Sequence, residues 1–264
     1  MKAILFVDLD ESLIKTDIMR EQLIRSFGSS LWKTLKILFK SRFQPEKAKA
    51  AIVDTINIDP KTLPYNAEVL ALIHQAKAEG RQVVLATATH EKVANRIAQF
   101  LGVFDAVLAT TDTFNCKGEN KVAMMQEFAK GRPFDYVGDS RADLVIFKEA
   151  QTPYIVGRLP YSGVHQRIAR AHIFKPFLKA LRPQQWSKNA LVLLPLLTSP
   201  SLTWAPIMIA LFGFICFSLA ASALCIMNDM FDVEDDRHHF EKKNRPFAIG
   251  DLTIDEGIWL SLLL

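Results

Sequence analysis

The stretch Ala3-Ile4-Leu5-Phe6-Val7-Asp8-Leu9-Asp10-Glu11-Ser12 decides how this chain is read. An apolar run of strand length stops at two aspartates with one residue between them. It is not a signal peptide, because the run is short and Asp8 and Asp10 end it. A brief continuous apolar run reads as a strand buried on both faces, as at the centre of a parallel sheet. Further runs of that kind are Gln82–Ala86, Ala106–Ala109, Phe134–Val137 and Pro153–Val156. Helical patterns lie between them. Asn66–Glu79 carries Val69, Leu70, Leu72, Ile73 and Ala76 and stops at Gly80; Glu91–Leu101 carries Val93, Ile97 and Leu101 and stops at Gly102. Strands alternating with helices predict an α/β fold, a doubly wound parallel sheet with ligands at the carboxyl ends of its strands.

The polar residues at those ends carry the chemistry. Asp8 and Asp10 follow the first strand, Thr87 the second, and Asp139 and Asp143 the fourth, while Lys121 opens a helix in Gly118-Glu119-Asn120-Lys121. Carboxylates converging on one sheet edge repel one another unless a cation compensates, and oxygen-only ligands suit Mg²⁺. A hydroxyl and a lysine beside such a site suit a phosphate.

At these residues the chain resembles the haloacid dehalogenase (HAD) superfamily of phosphohydrolases, whose motifs occur in order across its first half. The resemblance implies that Asp8 is the nucleophile and that Asp10 protonates the leaving group and then deprotonates water. It implies that Thr87 and Lys121 hold the phosphoryl oxygens, with Lys117 an alternative phosphate lysine. Mg²⁺ is then held by Asp8, Asp139, Asp143 and the backbone carbonyl of Asp10. An insertion between the first two motifs is a cap in this family; here it is residues 14–64, helical in pattern, with ten Lys/Arg against five Asp/Glu. Its segment Leu31-Trp32-Lys33-Thr34-Leu35-Lys36-Ile37-Leu38-Phe39-Lys40 is basic and amphipathic. Two readings stand: a cap helix packed on its own core, or a helix lying on an anionic leaflet.

The composition divides along the chain. Half of the 264 residues are apolar and 23% are charged, with a mean hydropathy of +0.12. That excludes disorder, and three cysteines exclude a disulfide scaffold and fit a reducing setting. A net charge of +4 gives no reason to expect nucleic acid. Residues 1–165 read as the hydrolase domain, 166–189 as a basic linker helix, and 190–264 as membrane-embedded. No charged residue occurs from Ala190 to Met227, room for roughly two crossings at about 20 residues each, with Thr198-Ser199-Pro200-Ser201 as a turn. Lys175, Lys179, Arg182 and Lys188 precede the run, and Arg237, Lys242, Lys243 and Arg245 follow it, which puts both ends and the N-terminal domain in the cytoplasm. Ile258–Leu264 reads as the start of a further apolar helix, as in a piece of a longer membrane protein.

After the run, Asn228, Asp232 and Asp236 recur every four residues on one helical face, with Asp229 at its edge. Acidic groups at a membrane helix end again call for Mg²⁺. Here the chain resembles the UbiA-type polyprenyltransferase superfamily, through Leu181-Arg182-Pro183-Gln184-Gln185-Trp186-Ser187-Lys188-Asn189, the Asn228–Asp236 motif and Asn244-Arg245-Pro246-Phe247-Ala248-Ile249-Gly250. It is closest to the branch joining a polyprenyl phosphate to phosphoribosyl diphosphate. The resemblance implies that Asp229, Asp232 and Asp236 bind Mg²⁺, and that Asn228, Lys188 and Arg245 help to hold a donor diphosphate. It also implies about nine membrane helices and a second aspartate-rich motif, so that the transferase is incomplete in residues 1–264. The expected function is a bifunctional membrane enzyme acting on phosphorylated and polyprenyl substrates. The alternative is an inactive HAD scaffold or regulatory domain attached to the transferase.

Overall fold

The computed structural model describes residues 2–40, 51–52, 58–170, 172–197 and 203–264. They form two compact units, Met1–Ala171 and His172–Leu264. In the first, β1 (Ile4–Val7), β2 (Val83–His90), β3 (Ala106–Thr110), β4 (Phe134–Gly138), β5 (Pro153–Val156) and β6 (Gln166–Ile168) form one parallel sheet in the order β3-β2-β1-β4-β5-β6. All five expected strands are present; β6 is additional. It is three residues long and two of them are exposed, so it leaves no apolar run in the sequence.

Strand β1 lies at the centre and is wholly buried. Its side chains alternate between two cores. Leu5 and Val7 pack with Val69, Ile73, Val93 and Ile97. These come from α3 (Ala67–Ala78) and α4 (Glu91–Leu101). Ile4 and Phe6 pack on the other face with Met125, Tyr136, Ile146 and Phe147, supplied in part by α5 (Glu119–Ala129) and α6 (Leu144–Glu149). Helix α3 is capped by Asn66, whose side chain accepts the Glu68 N–H at 3.1 Å. Helix α4 stops at Gly102, whose left-handed φ of 64° a side chain would strain.

Strand order reverses between β1 and β4, so the two chains leaving them diverge and open a crevice at their carboxyl ends. Into it runs the irregular turn Leu9–Leu13, where Glu11 takes a left-handed φ of 53°. The insertion that follows leaves and returns at one point: Ile14 bridges Tyr65, and the Asn66 N–H donates to the Leu13 carbonyl at 2.8 Å. Within the insertion α1 (Ile18–Ser29) and α2 (Leu31–Lys40) are helical as expected; residues 41–50 and 53–57 lie outside the described residues.

The second unit contains α7 (Phe174–Leu181), a 3-10 stretch Pro183–Leu193, one helical turn Leu194–Leu197, α8 (Trp204–Phe231), α9 (Val233–His238) and α10 (Ile254–Leu263). Among the described residues α8 alone is long and apolar enough to cross a membrane; at about 1.5 Å per residue it spans about 42 Å. Of the roughly two crossings expected in the uncharged run, one is present as a long apolar helix among the described residues. The run before it is 3-10 to Leu193 and one helical turn, Leu194–Leu197. The turn expected at Thr198–Ser201 lies outside the described residues.

Phe6 meets Phe134 edge-on at 5.5 Å and Phe128 at 6.0 Å, with no exposure. Phe6→Ala is expected to cost about 3–5 kcal/mol, measurable as a lower urea midpoint in detergent.

Candidate active site

Asp8 is the first residue past β1, and its N–H donates to the Val137 carbonyl of β4 at 2.9 Å. The backbone thus ties the residue to both strands that flank the crevice. Its Oδ1 accepts from Leu9 N–H at 2.9 Å and from Lys121 Nζ at 3.1 Å; both bonds fall on one oxygen. Lys121 lies on the first turn of α5 and is buried, whereas Lys117 precedes the helix and is exposed. Of the two lysines, Lys121 therefore reaches Asp8.

Lys121 also meets Asp143 Oδ1 at 3.5 Å and the Tyr136 hydroxyl at 3.0 Å, and that hydroxyl donates to Asp143 Oδ1 at 2.7 Å. Asp143 Oδ2 accepts from the Ser140 N–H at 3.0 Å and the Ser140 hydroxyl at 2.6 Å. Gly138 makes this packing possible: a Cβ there would come within 2.6 Å of the Tyr136 ring and 3.1 Å of Asp143. Asp139 accepts from the Ser12 hydroxyl at 3.3 Å. Ligand oxygens of Asp8, Asp139 and Asp143 lie within 4.8 Å of one another, the one such group among the described residues.

Asp10 is held apart from that group. Its Oδ1 accepts the Ile18 N–H at 2.8 Å, and its Oδ2 accepts the Thr89 hydroxyl. Its side chain thus faces the start of α1 and the end of β2, and its backbone carbonyl is what it has for a cation. Thr87 is fully buried and its Oγ1 accepts the Thr89 N–H at 3.0 Å. Strand β2 runs four residues past the apolar run, to His90, with a register shift between Ala86 and His90, and both threonines lie in this extension.

The electrostatics follow from burial. Burial lifts the Asp8 carboxyl to about 6 and outweighs the pull of Lys121, with Asp143 adding to the rise. Burial and then Asp17 lift Asp10 to about 7, opposed by the bonds from Thr89 and Ile18. Asp139 is pushed to about 9 by burial and then by Asp8, Glu11 and Asp143. Burial also works against charge on Asp143, but Lys121, Ser140 and Tyr136 hold its pKa below the usual carboxylate value. One ammonium therefore serves three crowded acids, and the donor set fits a hard divalent cation. Tyr136, Thr89, Ser140 and Ser12 had no signal as site residues; Tyr136, inside an apolar strand, looks like core.

In the second unit Arg182 holds Asp229 through both carboxylate oxygens, at 2.5 and 2.7 Å. Arg245 Nη1 bridges Asp229 at 3.0 Å and Asp236 at 2.7 Å. The chain leaves helical geometry at Asp232, with φ −94° and ψ 12°, and restarts as α9. Of the expected face, Asn228 and Asp232 bond to each other, the amide donating to the carboxylate at 2.9 Å, while Asp236 is held with Asp229 by Arg245. Asp229, Asp232 and Asp236 do not assemble as a cation site among the described residues; two arginines balance the buried pair instead. Lys188 is exposed. Arg182, within a quoted motif, gave no sign of this role before the structure placed it on Asp229.

Residues 5–148 match the haloacid dehalogenase-like hydrolase family, and residues 190–264 match the UbiA prenyltransferase family. An uncharacterized protein of Sinorhizobium fredii, y4nM, is 35% identical over 98% of this chain and 52% of its own length. The decaprenyl-phosphate phosphoribosyltransferase of Corynebacterium glutamicum is 38% identical over 33% of this chain and 27% of its own. The chain spans about half, or less, of the length of these curated relatives. A HAD family hydrolase from Salmonella enterica superposes with a TM-score of 0.49 at 14% identity, covering 63% of this chain and 67% of that one.

Removing the Tyr136 hydroxyl strips Asp143 of a donor and Lys121 of an acceptor. Tyr136→Phe is expected to lower the unfolding free energy by about 1.5–3 kcal/mol, read by urea unfolding in detergent.

Proposed function

The chain belongs to the haloacid dehalogenase-like hydrolase family, and on that premise we propose that its N-terminal unit is a Mg²⁺-dependent phosphatase joined to a membrane-integral UbiA-type transferase region. The observation that carries the reading is the convergence of Asp8, Lys121, Asp139 and Asp143 at the β1–β4 crevice, with Asp10 poised near neutrality beside it.

Oδ1 of Asp8 is taken by Lys121 and Leu9, which leaves Oδ2 as the nucleophilic oxygen. It attacks the phosphorus of a phosphoester, the bond to the alcohol breaks, and the departing oxygen takes the Asp10 proton. Water then gives a proton to Asp10 and attacks the aspartyl-phosphate, the bond to Asp8 breaks, and phosphate leaves. The raised pKa of Asp10 keeps both of its forms populated near pH 7, which both halves of the cycle require. Lys121 holds the Asp8 carboxylate and one phosphoryl oxygen, and the Thr87 hydroxyl, already accepting from Thr89, turns its proton to another. Mg²⁺ would be held by Asp8, Asp139, Asp143 and the Asp10 carbonyl, and when bound it neutralises charge on the phosphoryl oxygens.

Residues 190–264 resemble part of a transferase that moves polyprenyl or phosphoribosyl groups. Apolar, and uncharged from Trp204 to Asn228, α8 supports a place in the cytoplasmic membrane, and the flanking basic residues support a cytoplasmic N-terminal unit. We place the hydrolase boundary near residue 165 and the linker at 166–189. A phosphoribosyl lipid would carry a 5-phosphate for the first unit to remove, which makes the fusion bifunctional.

The test is Mg²⁺-dependent phosphate release by the full chain in detergent, across phosphoesters that include phosphoribosyl lipids. Asp8→Asn is expected to abolish it; release that survives this change would favour a scaffold. A second expectation concerns stability. Asp8, Asp10 and Asp139 titrate above the unfolded value of 3.8, so the folded state holds extra protons between there and about pH 9. Without a divalent cation, stability falls as pH rises through that window. Mg²⁺ should therefore raise the thermal midpoint more at pH 8 than at pH 5; an equal gain at both would contradict a carboxylate-held cation.

A further inference from the structure

Helix α2 exposes three of its large apolar side chains. Trp32 is 82% exposed, Leu35 43% and Phe39 79%. At 3.6 residues per turn these three and Lys36, also exposed, fall within about 100° of one another. Thr34 occupies the opposite side. It is fully buried and bonded to the Ser26 hydroxyl of α1 at 2.7 Å and to the Ser30 carbonyl at 3.0 Å. The outward side thus carries an indole and a phenyl ring that the cap's own core does not cover.

The charge of the surrounding sequence is of one sign. From Gln22 to Pro45 the chain has five basic residues, Arg25, Lys33, Lys36, Lys40 and Arg42, and no acidic one. Aromatic rings at such a face suit the headgroup boundary, and a run of cations suits an anionic leaflet, to which each adjacent Lys or Arg adds about 1 kcal/mol. A protein partner matching it would need an acidic rim around an apolar groove; a bilayer supplies both properties at once, and the same chain carries α8, a candidate membrane span.

We propose that α2 is an interfacial helix, docking the cap of the hydrolase unit onto an anionic membrane surface through Trp32, Leu35, Lys36 and Phe39. Docking rests on the membrane reading of α8. It would restrict the hydrolase to substrates presented at the bilayer surface, that is, phosphoesters with a lipid tail.

The full chain is reconstituted in nanodiscs of phosphatidylcholine alone or with phosphatidylglycerol, and the Trp32 signal is isolated as the difference between wild type and Trp32→Phe. In phosphatidylglycerol discs Trp32 is expected to emit at shorter wavelength and to be quenched by brominated lipid. Lys36→Glu should weaken docking on the order of tenfold, as expected for reversing one charge, with the emission of the other tryptophans unchanged. Water-like Trp32 emission in both discs, with the chain embedded, overturns the docking while the span reading stands. A chain that never enters discs overturns the span reading itself. An equal shift in both discs, indifferent to Lys36→Glu, overturns the anionic partner. A shift that grows with protein concentration in lipid-free detergent assigns the face to a second copy.

Discussion

Lys121 brings one positive charge to a crevice that holds Asp8, Asp139 and Asp143, and the arrangement of the site follows from that imbalance. Its ammonium is spent on Asp8 and Asp143, so Asp143 is held ionised while Asp139, farther from compensation, is pushed towards its neutral form. A buried excess of carboxylate is unfavourable unless protons or a cation offset it. The fold accepts this at the one place where strand order reverses and the backbone cannot close over the gap. The network around Lys121 is otherwise well satisfied, through Tyr136, Ser140 and Ser12, so the charges are fixed in position even though they are not cancelled.

Asp10 illustrates a different use of the same burial. It is two residues from Asp8, but the irregular turn Leu9–Leu13 rotates its side chain away, onto Thr89 and the start of α1. Two acids close in sequence therefore occupy distinct electrostatic environments, which is what separates a nucleophile from a proton carrier. The ends of the insertion are joined through Ile14 and Tyr65, and its first residues hold the turn, through the Ile18 N–H on Asp10 and the Thr16 carbonyl on the Glu11 N–H.

The buried acids of the second unit are balanced differently. Asp229 and Asp236 are each matched by guanidinium groups with short, paired contacts. Arginine keeps its charge when buried, and one nitrogen of each guanidinium, Nη2 of Arg182 and Nη1 of Arg245, meets both oxygens of a carboxylate. Arg182 does so from a left-handed backbone position, φ 51°, between α7 and Pro183. Strain of that kind persists only where the surroundings over-determine it, and here the bidentate hold on Asp229 does so.

The sequence by itself determined the parallel sheet, the five strands of its core, and the aspartates and threonine at their ends. Those signals are local: an apolar run, a stop and a polar residue lie within ten positions, and the period of the pattern separates strand from helix. It also carried the uncharged run of α8. Tertiary structure alone decided Lys121 over Lys117, because Asp8 and Lys121 are 113 residues apart and meet through the position and rotation of α5 on the sheet. It alone gave Tyr136 its place beside Asp143, since a tyrosine in a buried strand has the same pattern whether it packs or bonds. The kink at Asp232 and the exposure of Trp32, Leu35 and Phe39 on α2 were hidden for a related reason. Periodicity tells which residues share a face, but not where a helix breaks or which face the rest of the chain covers.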